Sequence, residues 1–143
     1  MKKILIIALL FLSCKDSHVY EKRIHENSFY IITFEKALKL LEEYPEILLL
    51  DIRTKEEYNF IHLKGAINID FDEDWPQYLK NVAFRKFIKN VKNKETIMLI
   101  YSFKGDNSRY WCEYLSKRGY TKVYDMGAMI TWPIRLTDGL IIQ

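Results

Sequence analysis

Few side chains in this 143-residue sequence have types and spacing suited to chemistry. The most conspicuous is Ser102. It follows Thr96 to Tyr101, an uninterrupted apolar or β-branched run, and precedes the polar stretch Phe103, Lys104, Gly105, Asp106, Asn107 and Ser108. A serine at a strand-to-helix turn occupies the place of a nucleophile elbow, yet Ile-Tyr-Ser-Phe-Lys lacks the flanking glycines of G-x-S-x-G. His62, the only histidine in the body of the chain, belongs to a turn in which a structural hydrogen bond is the simpler role. A serine hydrolase is therefore the less favoured enzyme reading. Cys112 falls ten residues after Ser102, on a helical face shared with Ser108 and Leu115. The expectation is a buried, inert thiol, since unpaired cysteines are among the most buried residue types. Arg53 could contact a ligand near the loop or pair with Glu56 or Glu57, and the structural role is preferred. His18, His25 and His62 show no ligand spacing, and Asp72-Glu73-Asp74 reads as a solvated turn. No metal and no cofactor are implied.

The elements that must position these residues alternate in type. Phe29 to Ile32 is β-prone, and Thr33 is an N-cap for a helix whose apolar face is Phe34, Ala37, Leu38 and Leu41, closed by Pro45. Ile47 to Leu50 is a continuous apolar run ending in Asp51, as in a strand covered on both faces. Thr54 and Glu57 have capping-box spacing and start a short helix. Ala66 to Ile69 is a brief strand. Pro76 suits the first turn of a third helix burying Phe84, Phe87, Ile88 and Val91. Gly119 is placed to end a fourth helix, and Lys122 to Tyr124 reads as the last strand. Such alternation predicts an α/β fold, an about five-stranded mainly parallel sheet with helices on both faces. Ligands of such sheets bind beyond the carboxyl ends of the strands, here after Leu50 and Tyr101. Trp75 and Trp132 are expected to pack.

Composition suits one compact domain: 49% of residues are hydrophobic, and 29% are charged with a net charge of +3. The charge is spread along the chain with no basic block at either end, so it reads as solvated surface and no nucleic-acid partner is expected. A clustered basic face would have to form on folding.

The first residues have the pattern of a processing signal. Lys2 and Lys3 precede nine apolar residues, Ile4 to Leu12, and then Ser13-Cys14. Nine residues are too few to span a membrane as a helix, which needs about 20, but they match a secretory h-region. Residues 1–13 are accordingly read as a lipoprotein-type signal peptide. A small residue directly before a cysteine resembles a bacterial lipobox, which implies lipidation of Cys14 and attachment to a bacterial membrane, facing the periplasm or the cell exterior. Phe11 and Leu12 depart from the usual residues of that motif, and an ordinary signal peptide releasing a soluble protein is the alternative. Loss of Lys2 and Lys3 lowers the charge from +3 to +1, so any membrane contact would rest on acyl chains. Residues 14–28 read as a polar tether, and residues 29–143 as the domain.

Asp51 to Tyr58 (D-I-R-T-K-E-E-Y) and His62 to Ile69 (H-L-K-G-A-I-N-I) resemble the rhodanese signature D-x-R-x-x-x-E-Y…H-I-x-G-A-x-N-I. Tyr101 to Arg109 (Y-S-F-K-G-D-N-S-R) resembles the active-site loop of short single-domain thiosulfate sulfurtransferases. Val123 to Ala128, followed by Trp132, resembles the closing Gly-Gly…Trp element. Ordered blocks across Phe29 to Trp132 are more specific than any one motif. Ile61, Lys64 and Ala128 stand where the family has glycine, proline and glycine, read as tolerable changes in surface turns. The fourth departure concerns chemistry, because the resemblance puts Ser102 at the position of the catalytic cysteine.

In the rhodanese family a thiolate attacks a sulfane sulfur, holds it as a persulfide and passes it to a thiol or cyanide. A serine hydroxyl stays protonated near neutral pH and cannot store a persulfide. The resemblance thus implies a pseudo-sulfurtransferase. Lys104, Gly105, Asp106, Asn107 and Ser108 keep the length and the glycine for an N–H cradle that could hold a small oxyanion or a protein partner's carboxylate. Asp106 repels an anion, while Lys104 and Arg109 attract one. The alternative is an active sulfurtransferase using an unanticipated residue. Phosphatase relatives of the fold also need the cysteine.

Overall fold

A computed structural model describes residues 22–23, 29–70, 77–133 and 141–142. Residues 1–13, expected to be a signal peptide, lie outside them, as do Cys14, His18, His25, the acidic residues 72–74, Trp75 and Pro76. Strands are β1 (Lys22–Arg23), β2 (Tyr30–Ile31), β3 (Leu48–Asp51), β4 (His62–Leu63), β5 (Ile67–Asn68), β6 (Met98–Ser102), β7 (Val123–Ala128) and β8 (Ile141–Ile142). Helices are α1 (Phe34–Glu43), α2 (Lys55–Phe60), α3 (Gln77–Ile88) and α4 (Asp106–Ser116), with a 3-10 turn at Met129–Thr131. The sheet order is β1-β2-β7-β6-β3-β5. Five strands are parallel, and β1 pairs antiparallel with β2 at one edge. β4 and β8 form a separate antiparallel ladder.

The alternation of side chains along a strand, period two, builds two cores. Leu50, Met98, Ile100 and Val123 face α3 and α4, meeting Phe84, Ile88, Trp111, Cys112 and Leu115. Leu49, Leu99, Tyr101 and Tyr124 face the other way onto Phe34, Ala37 and Leu40 of α1. Full burial of such a side chain is worth about 1.5–3 kcal/mol, so covering both faces of β6 makes it the axis of the fold. All five of its residues are buried.

Local signals set the helix ends. Thr33 Oγ1 accepts from Lys36 N at 3.3 Å and starts α1. Thr54 and Glu57 make the reciprocal capping box of α2. Beyond α4, Gly119 adopts φ +83°, and the Gly119 and Tyr120 amides return to the Ser116 and Leu115 carbonyls. That is a Schellman closure, which a left-handed glycine permits.

Three expectations change. Residues 22–23, assigned by composition to the tether, add the edge strand β1, because the exposed flank of β2 offers backbone partners whatever the side chains are. Leu40, rather than Leu41, is fully buried on α1, and Leu38 and Leu41 flank it. β7 runs to Ala128 instead of stopping at Tyr124. Its register against β6 slips between Asp125 and Gly127, a bulge that inserts Met126 and lets the strand continue beside Tyr101 and Ser102. Ala128 therefore lies in the sheet beside the loop and is not a surface-turn residue. Ile61 sits at φ −162°, extended backbone that needs no glycine.

Candidate functional site

Ser102 is the last residue of β6, paired with Ala128 and 2% exposed. The chain turns through Phe103, Lys104 and Gly105 into α4. Gly105 is fixed there by two constraints: its φ is +93°, and an added Cβ would lie 3.3 Å from the Ala128 amide nitrogen. The turn points the Gly105 and Ser108 amides at one atom. Ser102 Oγ accepts both, at 3.0 and 3.3 Å. The serine thereby caps α4, whose own N-cap residue has no side chain.

Beneath the loop lies a carboxylate that the sequence did not advertise. Asp125, 1% exposed, accepts from the Ser108 hydroxyl at 2.7 Å and from the Gly127 amide at 2.9 Å. The Ser108 hydroxyl also lies 2.9 Å from the Gly105 carbonyl, so its single proton has two acceptors. Arg109 Nε sits 3.8 Å from Asp125 Oδ2 on the solvent side. Burial pushes the Asp125 pKa above its ordinary value, against the opposing pull of the Ser108 and Gly127 hydrogen bonds and Arg109. The one available signal was an aspartate two residues before a glycine at the end of an apolar strand.

The loop residues named from the sequence do come together. Phe103, Lys104, Asp106 and Asn107 are exposed around Ser102, and the Phe103 carbonyl accepts from Ile130 N at 3.4 Å, which ties the loop to the 3-10 turn. Arg53 does not join them. It is buried, with Nε 3.0 Å from Asp51 Oδ1 and Nη2 2.6 Å from Oδ2, and Nη2 also donates to the Ile61 carbonyl. Its partner is Asp51 rather than Glu56 or Glu57, because Glu57 is held by the capping box. Asn68 Nδ2 bridges the Asp51 and Arg53 carbonyls at 3.1 and 3.0 Å. The D-x-R pair is thus a clamp joining β3, β5 and the end of α2.

His62 Nδ1 lies 2.8 Å from the Tyr58 carbonyl, with the two rings stacked at 3.8 Å. Cys112 is fully buried between α4 and the sheet. Burial, and then the nearby Asp125 charge, push its thiol pKa up, against a smaller effect of Arg109. Trp132 packs on Phe34 at 4.5 Å, as a core residue.

A parallel sheet carrying a strand-to-helix amide loop at its carboxyl edge is the architecture of the rhodanese-like proteins. Residues 33–129 match the family described as Rhodanese-like domain, and the chain belongs to it. Among curated relatives, thiosulfate sulfurtransferase GlpE of Tolumonas auensis is 30% identical over 100 residues, covering 70% of this chain and 83% of that protein. The rhodanese-like domain of an Anabaena sp. protein shares the fold with a TM-score of 0.58 at 17% identity, over 77% of this chain and 76% of that one. The homodimeric polysulfide-sulfur transferase of Wolinella succinogenes gives 0.56 at 19% identity, over 80% and 77%. Identities this low report the fold alone.

Proposed function

We propose that this rhodanese-like protein is catalytically silent in sulfur transfer and that its loop acts as a binding module for a small oxyanion or a partner's carboxylate. The observation that carries the proposal is the environment of Ser102. Its resemblance-based position is that of the nucleophile, and its Oγ takes the Gly105 and Ser108 amides that would otherwise stabilise a thiolate. A hydroxyl at that point neither ionises near neutral pH nor accepts a sulfane sulfur. Cys112 is no substitute, since a fully buried thiol with a raised pKa is neither accessible nor ionised.

What remains is an exposed rim with Lys104 and Arg109 at the start of α4, whose N-terminal dipole favours negative charge. Asp106 opposes it. Titration with sulfate, thiosulfate and phosphate, read by amide chemical shifts at residues 103–108, tests the binding half. Saturable shifts confined to the loop support it, and a flat response up to tens of millimolar leaves only a protein partner. The catalytic half is tested by exchanging residue 102 for cysteine in a sulfur-transfer assay.

We further propose that residues 1–13 are removed as a signal peptide and that Cys14 carries the lipid anchor on the extracytoplasmic side of a bacterial membrane. With β1 starting at Lys22, the remaining tether of residues 15–21 reaches at most about 25 Å. Metabolic labelling with a radioactive fatty acid should mark the wild type and fail on Cys14→Ala. Equal labelling of both would refute lipidation at Cys14.

A further inference from the structure

The end of the sheet opposite Ser102 gathers positive charge, four cations from residues 85–94 and a fifth, Arg118, from beyond α4. There α3 ends at Ile88 and α4 at Ser116, beside the starts of β6 and β7. Between them opens a cleft of about 450 Å³, within the ~300–1,000 Å³ range of small-ligand sites. Its apolar floor includes Tyr114 and Tyr120. Tyr120 is held by donating to the Val91 carbonyl at 2.7 Å, and the Tyr114 hydroxyl accepts from Arg85 Nε at 3.1 Å.

Five cations line this cleft, Arg85, Lys89, Lys92, Lys94 and Arg118, and its lining contains no carboxylate. Among the described residues none of the five has an ion-pair partner. Lys94 Nζ lies 3.6 Å from the Tyr120 ring centroid and Arg118 Cζ 3.4 Å from that of Tyr114, so two of the five are poised on rings. Helix ends explain part of the charge: Arg118 Nη1 donates to the Tyr114 carbonyl at 3.2 Å. Two helix C-termini supply only about half a negative charge each, however. Five full cations exceed that several-fold, in a chain whose whole net charge is +3.

We propose that the cleft is a second binding site, for a multivalent phosphate-type oxyanion. The Arg85 and Arg118 guanidinium groups offer forked donors that match phosphate oxygens, and the lysines add point charge around them. This site lies at the other pole from the Ser102 loop and does not rest on the catalytic silence of that loop.

The test uses inorganic tripolyphosphate as a soluble probe and, in a separate arm, vesicles of phosphatidylglycerol in phosphatidylcholine, at about 0.15 M ionic strength. The proteins are the wild type, Lys89→Glu/Lys92→Glu, and the charge-matched control Lys39→Glu/Lys64→Glu on other faces. All three are first checked for equal thermal unfolding. Saturable binding is expected in at least one arm. It should weaken about tenfold or more in the cleft variant and stay within about twofold in the control, where tenfold corresponds to about 1.4 kcal/mol. Tripolyphosphate binding without vesicle binding identifies a soluble anion, and the reverse identifies a lipid headgroup. No saturable binding in either arm, or equal weakening by both variants, overturns the proposal.

Discussion

The Ser108 hydroxyl reaches the buried Asp125 carboxylate across 2.7 Å and joins the first turn of α4 to β7 directly beneath the Ser102 loop. The contact explains why the loop keeps its shape without a side chain at its N-cap. Ser108→Ala removes a donor to a buried carboxylate, which costs about 1–3 kcal/mol. Urea unfolding measures the loss, and an unchanged midpoint would show that the bond contributes nothing.

Asp125 also predicts a pH dependence. Its folded pKa is raised above the unfolded value by burial. Between the two values the folded protein keeps a proton that the unfolded chain has lost. The contribution to stability is therefore largest below the unfolded pKa, declines as pH rises through the folded pKa, and is constant beyond it. Asp125→Asn, which preserves an acceptor for Ser108 and Gly127, should flatten that decline in a series of unfolding curves starting from the ordinary carboxylate range. Parallel curves for the two proteins would contradict the assignment.

The D-x-R clamp should behave as a structural unit. Arg53→Ala strands the buried Asp51 carboxylate and is expected to cost about 3–5 kcal/mol. Arg53→Lys should recover only part of this, since an ammonium cannot span both carboxylate oxygens. Full recovery by lysine, read from thermal unfolding, would mean that the forked geometry is unimportant.

Cys112 should resist thiol reagents in the native protein and react on denaturation. In a Cys14→Ser background, rapid native labelling would contradict its burial and reopen it as a nucleophile.

Much of the architecture was legible because its signals are local. The capping box at Thr54 and Glu57, the apolar run of β6 and the glycine closing α4 each depend on neighbours a few residues away. What could not be read depends on pairing across the sheet. β1 exists because β2 has a free edge, and β7 extends because a bulge at Met126 carries it past Ile100. The same limit applies to the site. Ser102 and its loop stood out as a strand-to-helix turn, whereas Asp125 became important only once folding brought it within reach of Ser108. The partner of Arg53 was missed for a different reason: the expected partners, Glu56 and Glu57, lie ahead of it, whereas Arg53 pairs with Asp51, two residues back at the same strand end. The basic cleft takes four of its five cations from residues 85–94, near neighbours in the sequence, and only Arg118 had to be brought to them by folding.

On the function proposed above, Ser102 leaves an intact rhodanese-like scaffold without its nucleophile. A thiosulfate-to-cyanide sulfurtransferase assay on the wild type beside Ser102→Cys is the decisive experiment. Thiocyanate formation should be no faster than the uncatalysed background for the wild type, with measurable turnover for the cysteine variant. Turnover by the wild type at a rate comparable to that of the variant would contradict it.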